Sequence, residues 1–241
     1  MHWPRTSFAT SSSCASSDRQ DLALALLETL VLTLGAGVAL FAAAGSLDWP
    51  MAWAYLAGFA GIGIAALWTA SRELVAERSR LLAGGERDDV ALSLAFFFLL
   101  YPATWLACGL DRRFGASPAL PLPLEIAALA LFLSGYALAL WAMRVNAFFS
   151  TMVRIQRERG HRVIDRGPYR FVRHPGYAGA VVAHLALPLA LGSLWGLVPA
   201  ALGGAGVALR IVGEERTLRG GLAGYAEYAA RVRWRLVPGV W

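Results

Sequence analysis

Lysine is absent from this chain, and charged residues of any kind are scarce. Only 16% of its 241 residues are charged whereas 57% are hydrophobic, which excludes an ordinary soluble domain. Cys14 lies in a polar tail and Cys108 in an apolar run, so we expect neither a disulfide nor a metal site. The sequence also lacks a glycine-rich phosphate loop and a nucleophile elbow. Any cofactor therefore needs another kind of site.

The chain contains long apolar runs with few or no charged residues. Each is close to the ~20 residues that a helix needs to cross a bilayer. Backbone groups in lipid must be satisfied internally, and nothing alternates with a period of two residues, so helices are expected rather than a barrel. The sequence therefore predicts four spanning helices. They cover residues 22–44, where Glu28 is the one charge, and residues 50–70, 90–110 and 126–143.

A fifth apolar run, residues 177–209, is too long for one span. As a straight helix its 33 residues would measure roughly 50 Å, well beyond the hydrocarbon thickness. Pro188, Gly192, Pro199 and the pair Gly203 and Gly204 interrupt it. We predict a helical hairpin with its turn near residues 192–195 and both ends on the same side of the membrane.

The charge is distributed very unevenly along the chain. Residues 144–235 hold 14 of the 22 arginines and five acidic residues, a net charge of +9 against +6 for the whole chain. The positive-inside rule places the N-terminus, residues 71–89 and everything after Arg144 in the cytoplasm, with Arg112 and Arg113 outside. The absence of lysine indicates a GC-rich bacterial genome and hence an inner membrane. Next to membrane spans, the basic excess indicates anionic lipid headgroups rather than nucleic acid.

These features divide the chain into three parts. Residues 1–20 are expected to form a disordered polar tail without a secretory signal, residues 21–143 a transmembrane helical scaffold, and residues 144–241 the part that carries the polar groups. Within the last part, residues 144–159 are predicted to continue the fourth helix. Residues 214–235 are predicted to form one amphipathic helix at the membrane interface.

The polar residues most able to carry chemistry lie at the two ends of the hairpin. Pro175 suits the first turn of a helix, whose free N–H groups attract carboxylates or phosphates, and His174 either serves that site or only caps the helix. If the hairpin closes, Glu214 and Glu215 return to His174, although Glu214 and Arg210 have the spacing of a simple surface ion pair.

Four other residues could serve either a functional site or an ordinary structural role. Tyr169 and Tyr177 are either generic interfacial aromatics or cover a cationic ligand. Glu28 and His184 are ionisable groups within apolar runs, where such residues are functional candidates.

The C-terminal part resembles a known family. The matching elements are Gln156 with His161-Arg-Val-Ile164, then Gly167-Pro-Tyr-Arg-Phe-Val-Arg-His-Pro-Gly-Tyr177, then Arg210-x-x-x-Glu214-Glu215, and finally Gly224-Tyr-Ala-Glu-Tyr228 with Val237-Pro-Gly239. They resemble the isoprenylcysteine carboxyl methyltransferases and their bacterial relatives, integral membrane enzymes that use S-adenosylmethionine. The resemblance covers residues 144–241.

The apolar runs predict an all-α integral membrane protein with about four transmembrane helices and a C-terminal helical hairpin, and the resemblance implies a cytoplasmic cofactor-binding region in the C-terminal part. It implies that Arg210 contacts the methyl-accepting substrate, where a bidentate contact would orient a carboxylate. An amine acceptor would first have to lose a proton, and His174 or a glutamate would then serve as base. The implied cofactor residues are Gln156, His161, Arg162, Val163, Ile164, Tyr169, Arg173, His174, Pro175, Gly176, Tyr177, Glu214 and Glu215.

The predicted function is methylation of a lipophilic small molecule that enters from the bilayer, with membrane lipids as neighbours and no nucleic acid partner. Three alternatives stay open. The first is an N-methyltransferase for phospholipid amines. The second is an NADPH-dependent membrane sterol-type reductase, because Arg173-His-Pro-Gly-Tyr-Ala-Gly179 also fits such enzymes. The third is a scaffold without catalytic activity. The Glu pair followed by Gly-Tyr-x-x-Tyr favours the methyltransferase.

Overall fold

The computed structural model describes residues 11–69, 94–150 and 153–241, with the backbone alone for residues 11–21. Every regular element in these ranges is helical and none is a strand, so the prediction of an all-α membrane protein is confirmed. The loop 71–89 and residues 1–10 of the predicted tail lie outside the described residues.

The described helices are α1 (Ser11–Ala44), α2 (Pro50–Thr69), α3 (Leu94–Phe114), α4 (Leu122–Val145), α5 (Pro175–Ala190), α6 (Leu197–Gly221) and α7 (Tyr225–Arg231). Among them, α2, α3, α4, α6 and the Leu22–Ala44 part of α1 are long and apolar enough to cross a membrane, whereas α5 is shorter. Helices α1 to α4 correspond to the four predicted spans, and α5 and α6 form the predicted hairpin. Two short 3₁₀ turns, Arg157–Arg159 and Gly167–Arg170, lie between α4 and α5.

The close approach of α4 and α5 forms the centre of the bundle. Gly135 of α4 faces Gly179 of α5, and a Cβ atom at Gly135 would lie 2.5 Å from the Gly179 carbonyl oxygen. A Cβ atom at Gly179 would overlap the Gly135 carbonyl in turn. Small residues let helix backbones approach in lipid, where packing rather than the hydrophobic effect holds helices together. This pair therefore fixes the position of α5, which begins at the predicted site.

Aromatic residues with paired polar atoms fill the space beside it. Trp105 Nε1 donates a hydrogen bond to the Tyr55 hydroxyl at 2.9 Å, and the hydroxyls of Tyr101 and Tyr136 lie 2.8 Å apart. Pro102 lies in a π-helical turn of α3, where the Thr104 hydroxyl donates to the Leu99 carbonyl at 2.8 Å. Such pairing matters because an unpaired polar group in lipid costs several kcal/mol.

The hairpin turn lies between Ala190 and Leu197, as predicted. Gly192 has a φ of +70°, a left-handed conformation that favours glycine. The buried Asp111 carboxylate, at the end of α3, accepts hydrogen bonds from the Ser193 hydroxyl at 2.5 Å and the Ser117 N–H at 2.7 Å. One carboxylate thus ties the turn to the end of a neighbouring helix.

Two helical predictions are wrong, and each has a local cause. Helix α4 ends at Val145 instead of continuing to residue 159, because the Asn146 side chain accepts a hydrogen bond from the Phe148 N–H at 2.9 Å. That bond replaces a helical one. The single helix predicted over residues 214–235 is two helices, because Gly224 adopts a φ of +79° between α6 and α7.

The predicted disordered tail also differs from the structure where the two overlap, since residues 11–20 belong to α1. Extending an existing helix adds one backbone hydrogen bond per residue without a new nucleation step. A polar segment next to a long apolar helix can therefore continue it.

Gly179→Ala is expected to lower the melting temperature of the purified protein in detergent. The added methyl group meets the Gly135 backbone, and overpacking of this kind costs about 1–3 kcal/mol. Gly61→Ala is the matched control, because a Cβ atom there has nothing within 4 Å and alanine favours a helix. Equal melting temperatures of the two variants would contradict the close contact between α4 and α5.

Candidate functional site

A cavity of about 520 Å³ lies between the helices and the segments that join them, a volume typical of ligand sites. Its polar wall carries Asn146, Arg154, His161, Arg162, Tyr169, Arg173, His174, Tyr177, Arg210, Glu214, Tyr225 and Tyr228. Its apolar wall, from α1, α2 and α4, includes Leu32, Phe59, Ile62, Ala66, Leu140 and Met143. One space therefore joins a charged surface to an apolar one.

The start of α5 is held by a segment from the far end of the sequence. His174 is the N-cap of α5 and Pro175 occupies the first helical position, as the sequence predicts. The backbone N–H groups of Arg173 and His174 donate to the carbonyls of Trp234 and Arg235 at 2.9 and 3.0 Å. The polar residues at this helix start are therefore fixed by backbone pairing rather than placed on a free loop.

Glu215 is the buried acceptor around which this region is arranged. Its carboxylate, only 3% exposed, accepts hydrogen bonds from Arg173 Nε at 2.5 Å and from Arg235 Nε at 3.1 Å. Its first oxygen also lies 3.3 Å from His174 Nε2. Buried charges are tolerated when they are paired and hydrogen-bonded in this way. Glu215 thus joins α6, the start of α5 and the segment after α7.

Glu214 points to a different side of α6 from its neighbour, because successive helical residues are about 100° apart. Its side chain lines the cavity and is 24% exposed. The Tyr177 hydroxyl donates to one carboxylate oxygen at 3.0 Å, and His174 Nδ1 lies 4.0 Å from the other. The predicted return of the Glu pair to His174 is present, but only Glu214 faces the cavity.

Arg173 and Arg210 both contact the cavity from buried positions. The Arg173 guanidinium donates to Glu215 and also to the carbonyls of Val232 and Arg233, at 2.7 and 2.8 Å. Much of its donor capacity is therefore used within the protein. The Arg210 guanidinium lies 5.4 Å from the centre of the Phe96 ring, one helical turn from Glu214.

Gln156 lies behind the cavity rather than on its wall. The fully buried side chain donates from Nε2 to the Phe148 carbonyl at 3.0 Å and accepts a hydrogen bond from Arg159 Nη1 at 2.5 Å. It therefore holds the segment after α4 in shape. Gln156 is not among the residues that line the cavity, and its predicted contact with the cofactor stays a prediction.

His161 lies on the cavity wall, stacked on Phe148 with ring centres 4.5 Å apart. Its Nδ1 accepts a hydrogen bond from the Gln156 backbone N–H at 3.3 Å. Burial lowers the pKa of His161, and the nearby Arg159 and Arg154 lower it further. The imidazole is therefore neutral near pH 7.

The remaining predicted residues can be placed by whether they line the cavity. Three of the predicted residues, Gln156, Pro175 and Glu215, do not line the cavity. The remaining residues that line it are Arg162, Val163, Ile164, Tyr169, Gly176 and Tyr177. Glu28 is exposed and lies on the α1 side of the lining. His184 is buried away from it, with its ring centre 4.6 Å from that of Tyr101.

Several lining residues were not predicted as site residues. Asn146 donates to the Tyr169 hydroxyl at 3.1 Å, and the Tyr228 hydroxyl donates to the Tyr169 carbonyl at 2.8 Å. Tyr225, in the same helix as Tyr228, also lines the cavity. Tyr225 and Tyr228 belong to the last element of the resemblance, so the signal for them was in the sequence.

Comparison with known proteins agrees with a membrane methyltransferase. Residues 124–220 match the family model of phospholipid methyltransferases. The match begins in α4 and ends in α6, so it includes His174 and Glu214 but less than half of the chain. No curated protein matches the chain significantly. The narrower resemblance to isoprenylcysteine carboxyl methyltransferases stays a prediction.

The two glutamates are expected to respond differently to the same substitution. Glu215→Gln leaves Arg173 and Arg235 without their carboxylate, and breaking a buried ion pair costs about 3–5 kcal/mol. Glu214→Gln is the matched control, since its partly exposed side chain accepts a hydrogen bond from a neutral tyrosine. Thermal unfolding in detergent measures both. A Glu214 variant that is destabilised as much as the Glu215 variant would contradict this division.

Proposed function

We propose that this protein is an integral membrane methyltransferase that uses S-adenosylmethionine to methylate a lipophilic acceptor. The observation that carries the proposal is the cavity itself. Its polar wall bears a carboxylate, an imidazole and tyrosines, and its apolar wall is formed by membrane helices. A charged cofactor and a lipid-soluble acceptor can therefore meet in one space.

The residues of the polar wall fit this cofactor. S-adenosylmethionine carries an ammonium group, a carboxylate and a sulfonium, and when bound it supplies an electrophilic methyl group. Glu214 presents a carboxylate to the cavity for the ammonium group. The ring faces of Tyr169 and Tyr177 suit a sulfonium cation. Arg173 is largely engaged by Glu215 and the backbone, so we assign the carboxylate to Arg162, which also lines the cavity.

The apolar wall supports a lipid acceptor. Leu32 of α1, and Phe59 and Ala66 of α2, are among the residues that form it. An alkyl chain placed there would bury apolar surface and keep water from the reacting groups. Alignment of acceptor and methyl donor then supplies much of the rate, because a displacement depends on geometry.

Phospholipid amine N-methylation is the second candidate for the acceptor, and two observations favour it. The matched family is described by phospholipid methylation. In addition, His174 lies 3.3 Å from a Glu215 oxygen and 4.0 Å from a Glu214 oxygen. An imidazole between two carboxylates can take the proton that an ammonium group must lose before its nitrogen attacks. A carboxylate acceptor needs no base and would use Arg210 for orientation.

Purified protein in detergent is expected to bind S-adenosylhomocysteine and not NADPH in calorimetry. Glu214→Gln should weaken this binding at least tenfold, because it removes a charge-assisted hydrogen bond worth about 1.5–3 kcal/mol. Glu227→Gln, on the exposed face of α7, is the matched control. Binding of NADPH alone would favour the reductase, and binding of neither would favour a scaffold.

Ala66→Trp is expected to abolish methyl transfer to lipid while leaving cofactor affinity unchanged, since the larger side chain fills the apolar wall. Ala57→Trp is the control, because Ala57 is exposed on the same helix and does not line the cavity. The measurement is the transfer of tritiated methyl groups into extracted lipid. Alkali releases the label from methyl esters and leaves N-methyl groups intact. Equal transfer by the two variants would contradict an acceptor in this cavity.

A further inference from the structure

Tyr225 lines the polar wall and has not been assigned a role in methyl transfer. It is the first residue of α7 and only 5% exposed. Its hydroxyl is buried and has no hydrogen-bond partner among the described residues. The same side chain lines the cavity. A buried hydroxyl without a protein partner is rare in native structures and calls for an explanation.

The neighbouring Tyr228 also lines the cavity, but its hydroxyl has a partner within the protein. The two rings lie 5.8 Å apart and belong to the same cluster with Leu222 and Ala229. The Tyr228 hydroxyl donates to the Tyr169 carbonyl at 2.8 Å, so its polar atom is used in folding. Packing alone would be satisfied by phenylalanine at Tyr225. The hydroxyl of Tyr225 therefore has a use that the fold does not supply.

The charges around this hydroxyl point to the kind of ligand. Burial raises the pKa of Tyr225, and the carboxylates of Glu215 and Glu214 raise it further, so the phenol stays protonated and can donate. The positive charges of Arg173 and Arg219 lower the pKa of the same hydroxyl. Groups of both charges suit a ligand end that itself carries a positive and a negative charge.

We propose that Tyr225 is a cofactor-binding residue whose hydroxyl hydrogen-bonds the amino-acid end of S-adenosylmethionine, beside the ammonium site at Glu214. This assignment rests on the proposed function. It gives α7 a role in the site and explains why the helix begins where it does. Gly224, with a φ of +79°, turns the chain so that Tyr225 faces the cavity instead of continuing along α6.

The test compares Tyr225→Phe with Tyr228→Phe in the full-length protein in detergent. Tyr225→Phe should weaken the binding of S-adenosylhomocysteine about tenfold in calorimetry. It should leave the melting temperature unchanged, because the substitution removes a hydrogen bond to the ligand and none within the protein. Tyr228→Phe should lower the melting temperature, because its hydroxyl loses the hydrogen bond to the Tyr169 carbonyl. Methylthioadenosine, which lacks the amino-acid end, should bind the wild type and Tyr225→Phe equally.

Each contrary outcome identifies what is wrong. Wild-type protein that does not bind S-adenosylhomocysteine would overturn the proposed function and this assignment with it. Binding by the wild type with equal affinity in Tyr225→Phe would overturn the assignment alone, as would a melting temperature lowered as much as in Tyr228→Phe. If Tyr225→Phe weakened the binding of methylthioadenosine as much as that of S-adenosylhomocysteine, the hydroxyl would contact the nucleoside. That result would contradict a contact with the amino-acid end.

Discussion

The buried carboxylate of Glu215 is the interaction on which the arrangement of this site depends. It binds Arg173 at the start of α5 and Arg235 beyond α7, and it lies within 3.3 Å of His174. These residues are far apart in sequence, so no local preference brings them together. Because a buried charge without its partners is very unfavourable, the carboxylate favours the one packing in which all of them are present. The polar wall of the cavity is a consequence of that packing.

The adjacent Glu214 does not take part in this buried network and lines the cavity. One residue along a helix changes direction by about 100°, so a carboxylate beside the buried one faces the cavity. There it accepts a hydrogen bond from the Tyr177 hydroxyl, in a cavity that apolar residues of α1, α2 and α4 also line. A pair of identical residues thus supplies one group for the fold and one for a ligand. The meeting of charged and apolar walls in one cavity is what supports methyl transfer to a lipid-soluble acceptor.

The spans and the hairpin could be predicted from the sequence because they depend on apolar length and on the turn chemistry near Gly192. The return of Glu214 to His174 followed from that hairpin. The end of α4 could not be predicted, since it depends on one side-chain bond from Asn146 that competes with the helix. The inward position of Gln156 depends on its contacts with Phe148 and Arg159, which spacing does not reveal.

The division between Glu214 and Glu215 was equally hidden, because two adjacent acids look alike until their partners are known. A structure of the protein with bound S-adenosylhomocysteine would test this division most directly. We expect the ligand's amino group within hydrogen-bonding distance of Glu214, with Glu215 still bound to Arg173 and Arg235. A ligand on Glu215 with Arg173 released, or a ligand outside this cavity, would contradict it.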